Sequence, residues 1–373
     1  RNEISGEEAT RAAIGFALSV YRFEPYKSKA EKAGGPKQVW PKGADKARVR
    51  AVADSICLGR DLVNTPANDM TPLALAAASQ QMADQAGAEI RILKGEELVS
   101  QNYPAIYTVG QASVNPPVLI DMHWSGTKKK SAPRITLVGK GVTFDTGGLD
   151  IKPSNAMLNM RKDMGGAAHV IGLARMIMAL KLPVHLRMLV PSAENSISGN
   201  AFRPGDIIQT RKGLSVEIGN TDAEGRLLLA DALTAAGEEP CDMVFDFATL
   251  TGAARVALGA DIPALMGNTA EKLHKLQVLS FELDDPLWTL PLYSGYKNCM
   301  NGQFADLSNT GDGSTGGGGA ITAGIFLEHF APEKPDWFHI DTFAWRNQDR
   351  PGRPKGGDLQ GVRAVLEYIE SLL

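Results

Sequence analysis

Two stretches of the chain combine acidic side chains, basic side chains and glycines at unusual density. In residues 140–166, lysines and aspartates recur among glycine pairs; in residues 219–231, an aspartate, a glutamate and an arginine lie close together. Such residue types can hold metal ions, move protons or bind a polar substrate. The candidates are Lys140, Asp145, Lys152 and Asp163 in the first stretch and Asp222, Glu224 and Arg226 in the second.

Metal binding is the chemistry that the four carboxylates favour. Carboxylates at the mouth of a buried helix are costly unless they are paired or bind a metal. Their four negative charges would balance two divalent cations. Two metal ions ~3.5–4 Å apart are a recurrent device of hydrolases, where they activate a water molecule and polarise a carbonyl group. The carboxylates are Asp145, Asp163, Asp222 and Glu224.

Each piece of this pattern also has an ordinary structural interpretation. Asp222 could cap a helix with Glu224 in its first turn, where the helix dipole favours acidic groups. The glycine pairs at 147–148 and 165–166 could serve close packing or positive φ angles. The metal hypothesis is favoured because both stretches follow predicted strands and both place acids beside cations.

Strand and helix patterns alternate along most of the chain. Such alternation predicts an α/β domain with a largely parallel sheet covered on both faces, whose chemistry collects at the carboxyl ends of the strands. A helix beginning at Ala44 should end before Pro66, and Thr71-Pro72 is typical of a helix start. Strands are predicted at 90–93, 118–123, 135–139, 184–190 and 244–247, helices at 7–21, 165–182, 224–236 and 320–330, and a hairpin at 207–218.

The composition is that of an ordinary globular protein of about two domains. Thirty-nine basic and 42 acidic residues give a net charge of −3, so no overall attraction to nucleic acid or to an anionic membrane is expected. The uncharged stretch 100–120 contains prolines and cannot be a transmembrane helix. Three widely spaced cysteines form no disulfide framework, so the cytoplasm is the expected compartment.

Other patterns are weaker. The glycine-rich segment 311–319 could cradle a phosphate, but it lacks the spacing of known phosphate motifs, and a mobile loop is favoured. The six histidines show no metal-ligand spacing, and His169 is expected in the core. No Gly-x-Ser-x-Gly motif is present, and Cys57, Cys241 and Cys299 are expected to pack as core residues.

The second stretch resembles the signature of the leucyl aminopeptidase family, peptidase family M17. The sequence Asn-Thr-Asp-Ala-Glu-Gly-Arg-Leu is complete at 220–227. The spacing of the two lysines and two aspartates in the first stretch also fits the family, as do residues 64–68, 191–206 and 249–252. The resemblance extends from about residue 44 to the C terminus, and its motifs are highly specific.

The resemblance implies a three-layer α/β/α sandwich on a mixed, mainly parallel sheet. It also implies a smaller N-terminal α/β domain, largely missing from this chain. Residues 1–40 would then be the remnant of that domain, residues 41–65 a linker helix and residues 66–373 the catalytic domain. Since the family forms hexamers with interior active sites, a homo-hexamer is expected.

Two divalent metal ions are also implied, Zn²⁺ or Mn²⁺, with Mg²⁺ or Co²⁺ as alternatives at the more exchangeable site. Lys140, Asp145, Asp163 and Glu224 would bind the tighter ion. Asp145, Glu224 and Asp222, with the main-chain carbonyl of Asp222, would bind the exchangeable ion. Lys140 would have to bind as a neutral amine, although the pKa of a free lysine is ~10.4.

The family's catalytic roles would fall to Lys152 and Arg226. Lys152 would polarise the scissile carbonyl and stabilise the gem-diolate, and Arg226 would hold a bicarbonate ion that acts as general base. One metal ion would bind the free α-amino group of a peptide and so restrict cleavage to the first residue. The pocket for a leucine-like side chain would be lined by Met160, Thr249, Leu250 and Gly252.

Two features depart from the family pattern. Asp150 replaces a small hydroxyl residue two positions before Lys152, and it could either pair with that lysine or face solvent. The segment 341–345 is shorter than in some members, so Phe343 or Trp345 could narrow the pocket.

These features together predict a metal-dependent aminopeptidase that acts on peptides with a free N terminus, with neither membrane nor nucleic acid as a partner. The alternative from another class is a DNA-binding architectural protein on the same fold, which the balanced charge disfavours. A binder of phosphate ligands through residues 311–319 is a further alternative.

Overall fold

Helices and strands alternate along the chain in the computed structural model, which describes residues 5–29 and 39–373. The segment expected to be a domain remnant therefore lies partly outside the described residues. Short 3₁₀ turns occur at Met160–Met164 and Ser294–Met300. The helices are α1 (Gly6–Ser19), α2 (Lys46–Asn64), α3 (Pro72–Ala86), α4 (Glu97–Ser100), α5 (Pro104–Gly110), α6 (Ser154–Met157), α7 (Gly165–Ala179), α8 (Gly225–Glu238), α9 (Gly252–Leu258), α10 (Ala270–Glu282), α11 (Gly319–Glu328) and α12 (Val362–Glu370).

Among the described residues, one large sheet contains nine strands, while β6, β7 and β11 form a second sheet and β13 and β14 a third. The strands are β1 (Glu89–Lys94), β2 (Val118–Ser125), β3 (Arg134–Gly139), β4 (Gly141–Asp145), β5 (His185–Asn195), β6 (Ile207–Gln209), β7 (Ser215–Glu217), β8 (Met243–Ala248), β9 (Ala264–Gly267), β10 (Trp288–Thr289), β11 (Leu307–Ser308), β12 (Asp336–Asp341), β13 (Trp345–Arg346) and β14 (Gly356–Gly357). The order in the sheet is β1-β2-β5-β3-β8-β12-β9-β10, and β4 pairs with β5.

The centre of this sheet is parallel and its flanks are mixed. Strands β5, β3, β8 and β12 are adjacent and run parallel to one another. Antiparallel pairs join β1 to β2, β2 to β5 and β9 to β12. The predicted mixed, mainly parallel sheet is therefore confirmed.

Helices cover both faces of the sheet. Because successive side chains of a strand point to opposite faces, Leu137 and Val138 of β3 are buried in different cores. The core of Leu137 includes residues of α2, α7, α10 and α12, and the core of Val138 includes residues of α5, α8 and α11. The three-layer α/β/α architecture follows from this division.

Local signals in the sequence mark several element boundaries correctly. Helix α2 ends at Asn64, and Thr65 is extended before Pro66. The Thr71 hydroxyl accepts a hydrogen bond of 3.2 Å from the Ala74 amide at the start of α3. The predicted hairpin is formed by β6 and β7, with Gly213 at a φ of 84° in its turn.

Helix α2 packs into the main core rather than standing apart from it. Val49, Val52 and Ile56 belong to the same core as α7 and α12. The division of the chain into remnant, linker and catalytic domain stays a prediction. No helix among the described residues combines the length and apolar character needed to cross a bilayer.

Candidate metal centre and active site

The carboxyl ends of three neighbouring parallel strands provide one side of the site. Lys140 follows β3, Thr249 follows β8, and Asp341 ends β12. Because these strands are adjacent in the sheet, the three positions lie at one edge, where ligands bind in open α/β sheets. The following β4 and the 3₁₀ turn at 160–164 add Asp145 and Asp163.

The other side of the site is the loop that leads into α8. Glu224 is the N-cap residue of this helix, but its side chain makes no capping hydrogen bond. The Asp222 carboxylate instead pairs with Lys152. The structure thus contradicts the capping alternative for these two acids. The buried character predicted for the helix is confirmed, since Leu227, Leu228 and Leu229 are inaccessible to solvent.

Lys140 lies between carboxylates from both sides of the site. Its ammonium nitrogen is 2.7 Å from Asp163 Oδ2 and 2.9 Å from Glu224 Oε1, and it donates to the Thr249 carbonyl at 3.1 Å. Burial disfavours the charged amine, but Asp163, Glu224 and Asp145 outweigh it and raise the pKa of Lys140 above its ordinary value. The lysine therefore carries its proton when it balances these acids alone.

Lys152 makes a second bridge between the two sides. Its ammonium nitrogen is 2.8 Å from Asp145 Oδ2 and also pairs with Asp222 Oδ1. Its side chain is more accessible than that of Lys140, and it lines the cavity described below. Burial opposes its charge, yet Asp145 and Asp222 raise the pKa of Lys152.

The acids crowd one another strongly enough to shift their protonation. Burial, followed by repulsion from Asp145, raises the pKa of Glu224 to about 8. The same two causes raise the pKa of Asp222 to about 6. A bound divalent cation would lower the pKa of both carboxyl groups, because it stabilises their charged forms.

The arrangement of the carboxylates fits a metal site. Ligand oxygens of Asp145, Asp163 and Glu224 all lie within 4.8 Å of one another, and all three residues are buried. Asp222 joins them through the shared Lys152 bridge. Clustered carboxylate oxygens suit divalent ions such as Mg²⁺ and Mn²⁺, and Zn²⁺ also accepts them.

Neighbouring groups fix the orientation of two of these acids. Asn195 and the Gly147 amide each donate to Asp145 Oδ1 at 2.8 Å. The Thr249 hydroxyl donates to Asp163 Oδ1 at 2.8 Å. Such hydrogen bonds are typical of the shell that orients metal ligands. Asn195, at the end of β5, was not among the predicted site residues, although it lies within the segment 191–206 that fits the family pattern.

Asp150 joins the two loops instead of taking either expected position. Its Oδ2 accepts hydrogen bonds from the Thr221 amide at 2.7 Å and the Thr221 hydroxyl at 3.2 Å, and its own amide donates to that hydroxyl at 2.9 Å. It neither pairs with Lys152 nor simply faces solvent. Thr221 precedes Asp222, so this contact fixes the distance between the two groups of acids.

Arg226 is buried behind the cavity and not among its lining residues. One terminal nitrogen donates to the Asn309 carbonyl, and Nε has no hydrogen-bond partner among the described residues. Burial lowers the pKa of Arg226 to about 10, so it remains a cation at neutral pH. Its incompletely satisfied guanidinium is compatible with an anionic ligand.

A cavity of about 530 Å³ opens beside the acids. The four residues expected to bind a substrate side chain all line it, together with the two lysines of the site and Phe343. Trp345 does not line it, so Phe343 is the aromatic residue that narrows the space. The expected residues are Met160, Thr249, Leu250 and Gly252.

Two further cations, which were not among the predicted site residues, also line the cavity. Lys162 is 6% exposed, and burial, aided by neighbouring cations, lowers its pKa to about 8. Arg255 reaches the cavity from α9. Neither belongs to a recognisable motif, so only the fold brings them together.

A histidine, the three cysteines and a glycine pair were also interpreted from the sequence as structural residues. His169 is fully buried and contacts the Gly165 carbonyl at 2.6 Å, as expected for a core histidine. Cys299 is buried in a core, and Cys57 and Cys241 are half-buried and pack against the two cores. Gly147 and Gly148 adopt positive φ angles of 88° and 67°.

Comparison with known proteins identifies the family of this chain. The family model of the cytosol aminopeptidase catalytic domain matches residues 57–366. A probable cytosol aminopeptidase of Neisseria meningitidis is 39% identical over 370 residues, which cover 96% of this chain and 77% of that protein. The structure of a cytosol aminopeptidase from Coxiella burnetii is 46% identical, with a TM-score of 0.89 over 98% of this chain and 78% of the other.

A second solved structure is similar at lower identity. The bottromycin maturation enzyme BotP, in complex with Mn, is 32% identical, with a TM-score of 0.88 over 98% of this chain and 80% of that one. The family match covers most of this chain, and the relatives extend it beyond the matched domain. This chain therefore belongs to the cytosol aminopeptidase family, peptidase family M17, and is a hydrolase of the aminopeptidase type.

Proposed function

We propose that the chain removes the N-terminal residue of peptides in a reaction that depends on two divalent metal ions. The observation that carries this proposal is the buried cluster of Asp145, Asp163 and Glu224, whose ligand oxygens lie within 4.8 Å of one another. Family membership supplies the reaction class. The Mn complex of the related BotP supports the choice of a divalent ion.

The proposed ligands divide between two ions. Lys140, Asp145, Asp163 and Glu224 would hold the tighter ion, and Asp145, Glu224 and Asp222 the exchangeable one, to which Asp222 would add its carbonyl. When bound, Zn²⁺ or Mn²⁺, with Mg²⁺ or Co²⁺ as alternatives at the exchangeable site, would polarise the scissile carbonyl and make a bound water more acidic. Lys140 would give up its proton, since only a neutral amine can donate to a metal.

Lys152 has the position and charge needed to stabilise the transition state. Without metal, Asp145 and Asp222 raise its pKa and so favour the ammonium form, and it lines the cavity. As the ammonium group moves from these acids toward the substrate, it would donate a hydrogen bond to the oxygen that becomes negative. A preorganised donor of this kind typically contributes ~10²–10³-fold in rate.

Arg226 would hold a bicarbonate ion that serves as general base. The planar guanidinium suits a bidentate contact with such an anion. Two observations support this role: the arginine is buried, and its Nε lacks a partner among the described residues.

The lining of the cavity supports a proposed preference for a free N terminus and an apolar first residue. Met160 and Leu250 provide an apolar wall, with Thr249 and Gly252 beside it. A leucine-like side chain fits this wall, and the α-amino group would reach the acids nearby. Cytoplasmic location and a homo-hexamer remain part of the proposal. The DNA-binding alternative is not favoured, because the relatives are aminopeptidases and the net charge is −3.

Removal and return of metal tests the proposal. We expect a chelator to abolish hydrolysis of leucine p-nitroanilide and Mn²⁺, Zn²⁺ or Co²⁺ to restore it, while N-acetyl-leucine p-nitroanilide is never cleaved. Glu224→Gln should lose metal by elemental analysis. Glu328→Gln, which removes a surface acid paired with Lys297, is the matched control and should keep it. Full activity in protein verified to be metal-free would contradict the proposal.

A further inference from the structure

Two cations in the cavity lack the counter-ions that the other lysines of the site possess. Lys140 and Lys152 each pair with two carboxylates. Lys162 and Arg255, by contrast, form no ion pair and no side-chain hydrogen bond within the described ranges. Both line the same cavity.

The two cations converge on one aromatic ring. The Lys162 ammonium nitrogen lies 4.9 Å from the centre of the Phe343 ring, and the Arg255 guanidinium carbon lies 4.8 Å from it. The ring face offers both a weak electrostatic contact. It does not neutralise them, and a charge as buried as that of Lys162, at 6% exposure, normally has an anionic partner.

One acid in the lining is already hydrogen-bonded to neighbouring groups of the chain. Asp341 accepts hydrogen bonds from the Leu250 amide at 2.9 Å, the Thr251 amide at 3.2 Å and the Thr251 hydroxyl at 2.6 Å. The remaining acids in the lining, Asp145, Asp163 and Asp222, belong to the proposed metal centre. An anion that neutralises Lys162 and Arg255 would therefore come from the ligand.

The ligand chemistry follows from the other lining residues. Met160 and Leu250 supply an apolar wall that suits the methylene groups of a side chain. Amide groups that can donate to a carboxylate are also present, from Asn155, Asn159 and Asn347. A short apolar stem ending in a negative charge matches this combination.

We propose that the cavity accepts peptides beginning with glutamate or aspartate and binds the side-chain carboxylate beside Lys162, Arg255 and Phe343. This inference rests on the proposed aminopeptidase function, because it assumes that the cavity receives the side chain of the first residue. It widens the substrate range beyond leucine-like residues to acidic ones, and it assigns Lys162 and Arg255 as residues that determine specificity.

The experiment compares kcat/KM for glutamyl, glutaminyl and leucyl p-nitroanilides in the metal-loaded protein. Glutamine is the isosteric neutral control. Because a hydrogen bond to a charged group contributes more than one to a neutral group, we expect glutamate to exceed glutamine by about tenfold or more. High salt should reduce that ratio by screening the charges.

Substitution of the two cations tests whether they cause the preference for glutamate over glutamine. Lys162→Met and Arg255→Gln should each lower the glutamate-to-glutamine ratio several-fold, and the double variant should bring it to about one. Lys334→Met, which removes an exposed lysine distant from the cavity, should keep the parental ratio. If Lys162→Met disturbs the adjacent Asp163, the Arg255→Gln result still decides, because Arg255 lies on α9 and contacts no proposed metal ligand.

The outcomes separate this inference from the proposed function. Cleavage of the leucyl substrate with a glutamate-to-glutamine ratio of one or less would overturn the inference and leave the aminopeptidase proposal intact. A high ratio that both variants preserve would overturn the assignment of the two residues. Failure to cleave any of the three substrates with metal present would overturn the proposed function and this inference with it.

Discussion

Gly225 controls the position of Lys140. A Cβ atom at Gly225 would lie 2.6 Å from Lys140 Nζ and 2.7 Å from Cδ, and it would also overlap Cε. Ordinary van der Waals contact begins at 3.4 Å, so the lysine would have to move by about 1 Å. Its 2.7 Å contact with Asp163 and 2.9 Å contact with Glu224 cannot both survive this shift. Gly225→Ala therefore displaces a proposed metal ligand without replacing the ligand's own side chain.

The variant should lose function while it still folds. Alanine is favoured over glycine by up to ~1 kcal/mol inside a helix, whereas a broken buried ion pair costs ~3–5 kcal/mol, so the free energy of unfolding should fall by about 2–4 kcal/mol. A displacement of 1 Å at a reacting centre can cost ~100-fold in rate. We expect a loss of that order in kcat/KM for leucine p-nitroanilide, with reduced metal content by elemental analysis.

A matched control is available in α1. Gly15 is also helical, and a Cβ there would have no atom within 4 Å. Gly15→Ala should leave both metal content and activity at parental values. If Gly225→Ala also retained parental metal content and kcat/KM, the assignment of Lys140 as a metal ligand positioned by this contact would be wrong.

Two other predictions concern charge. Lys140→Arg keeps the cation but cannot offer a neutral nitrogen, so we expect elemental analysis to show loss of the tighter metal ion; two ions per subunit at parental occupancy would contradict the ligand role. For Asp358, burial opposes the charge, but Arg60 and Arg346 hold its pKa at about 2, below the ordinary 3.8. Its stabilising contribution is complete above about pH 4 and is lost as the pH falls through 2. The free energy of unfolding should therefore fall by about 2 kcal/mol more in the parent than in Asp358→Asn between pH 4 and pH 2, measured by urea denaturation. Equal losses in both proteins would exclude this role for Asp358.

The acids and lysines of the candidate centre could be found from the sequence because they occur in two short, motif-rich segments. Their neighbours could not be found in the same way. Asn195 contacts Asp145 only because β4 pairs with β5. Lys162 and Arg255 approach one another only because α9 and the turn at 160–164 meet beside Phe343. Such proximity depends on the order of strands in the sheet, which the local pattern does not contain.

The central strand β12 was not among the predicted strands for a related reason. Its polar residues, such as His339, interrupt the apolar run that indicates a buried strand. In the structure, His339 Nδ1 and Trp337 Nε1 contact the two oxygens of Asp246 on the adjacent β8, at 2.5 Å and 2.6 Å. These hydrogen bonds between side chains of two strands form only after the strands pair. Neither segment alone therefore indicates that its polar residues are buried.

The walls of the cavity and the proposed metal ligands lie on different segments of the chain, and this affects how the substrate range can change. Arg255 lies on α9 and Phe343 follows β12, whereas the acids lie on the connections after β3 and before α8. Substitutions at the first two positions can therefore accumulate without altering a metal ligand. Natural divergence, or a laboratory library restricted to positions 255 and 343, could therefore redirect the same metal centre toward peptides with different first residues. Lys162 is the exception, since its neighbour in the chain is Asp163, and variation there carries a risk to the chemistry itself.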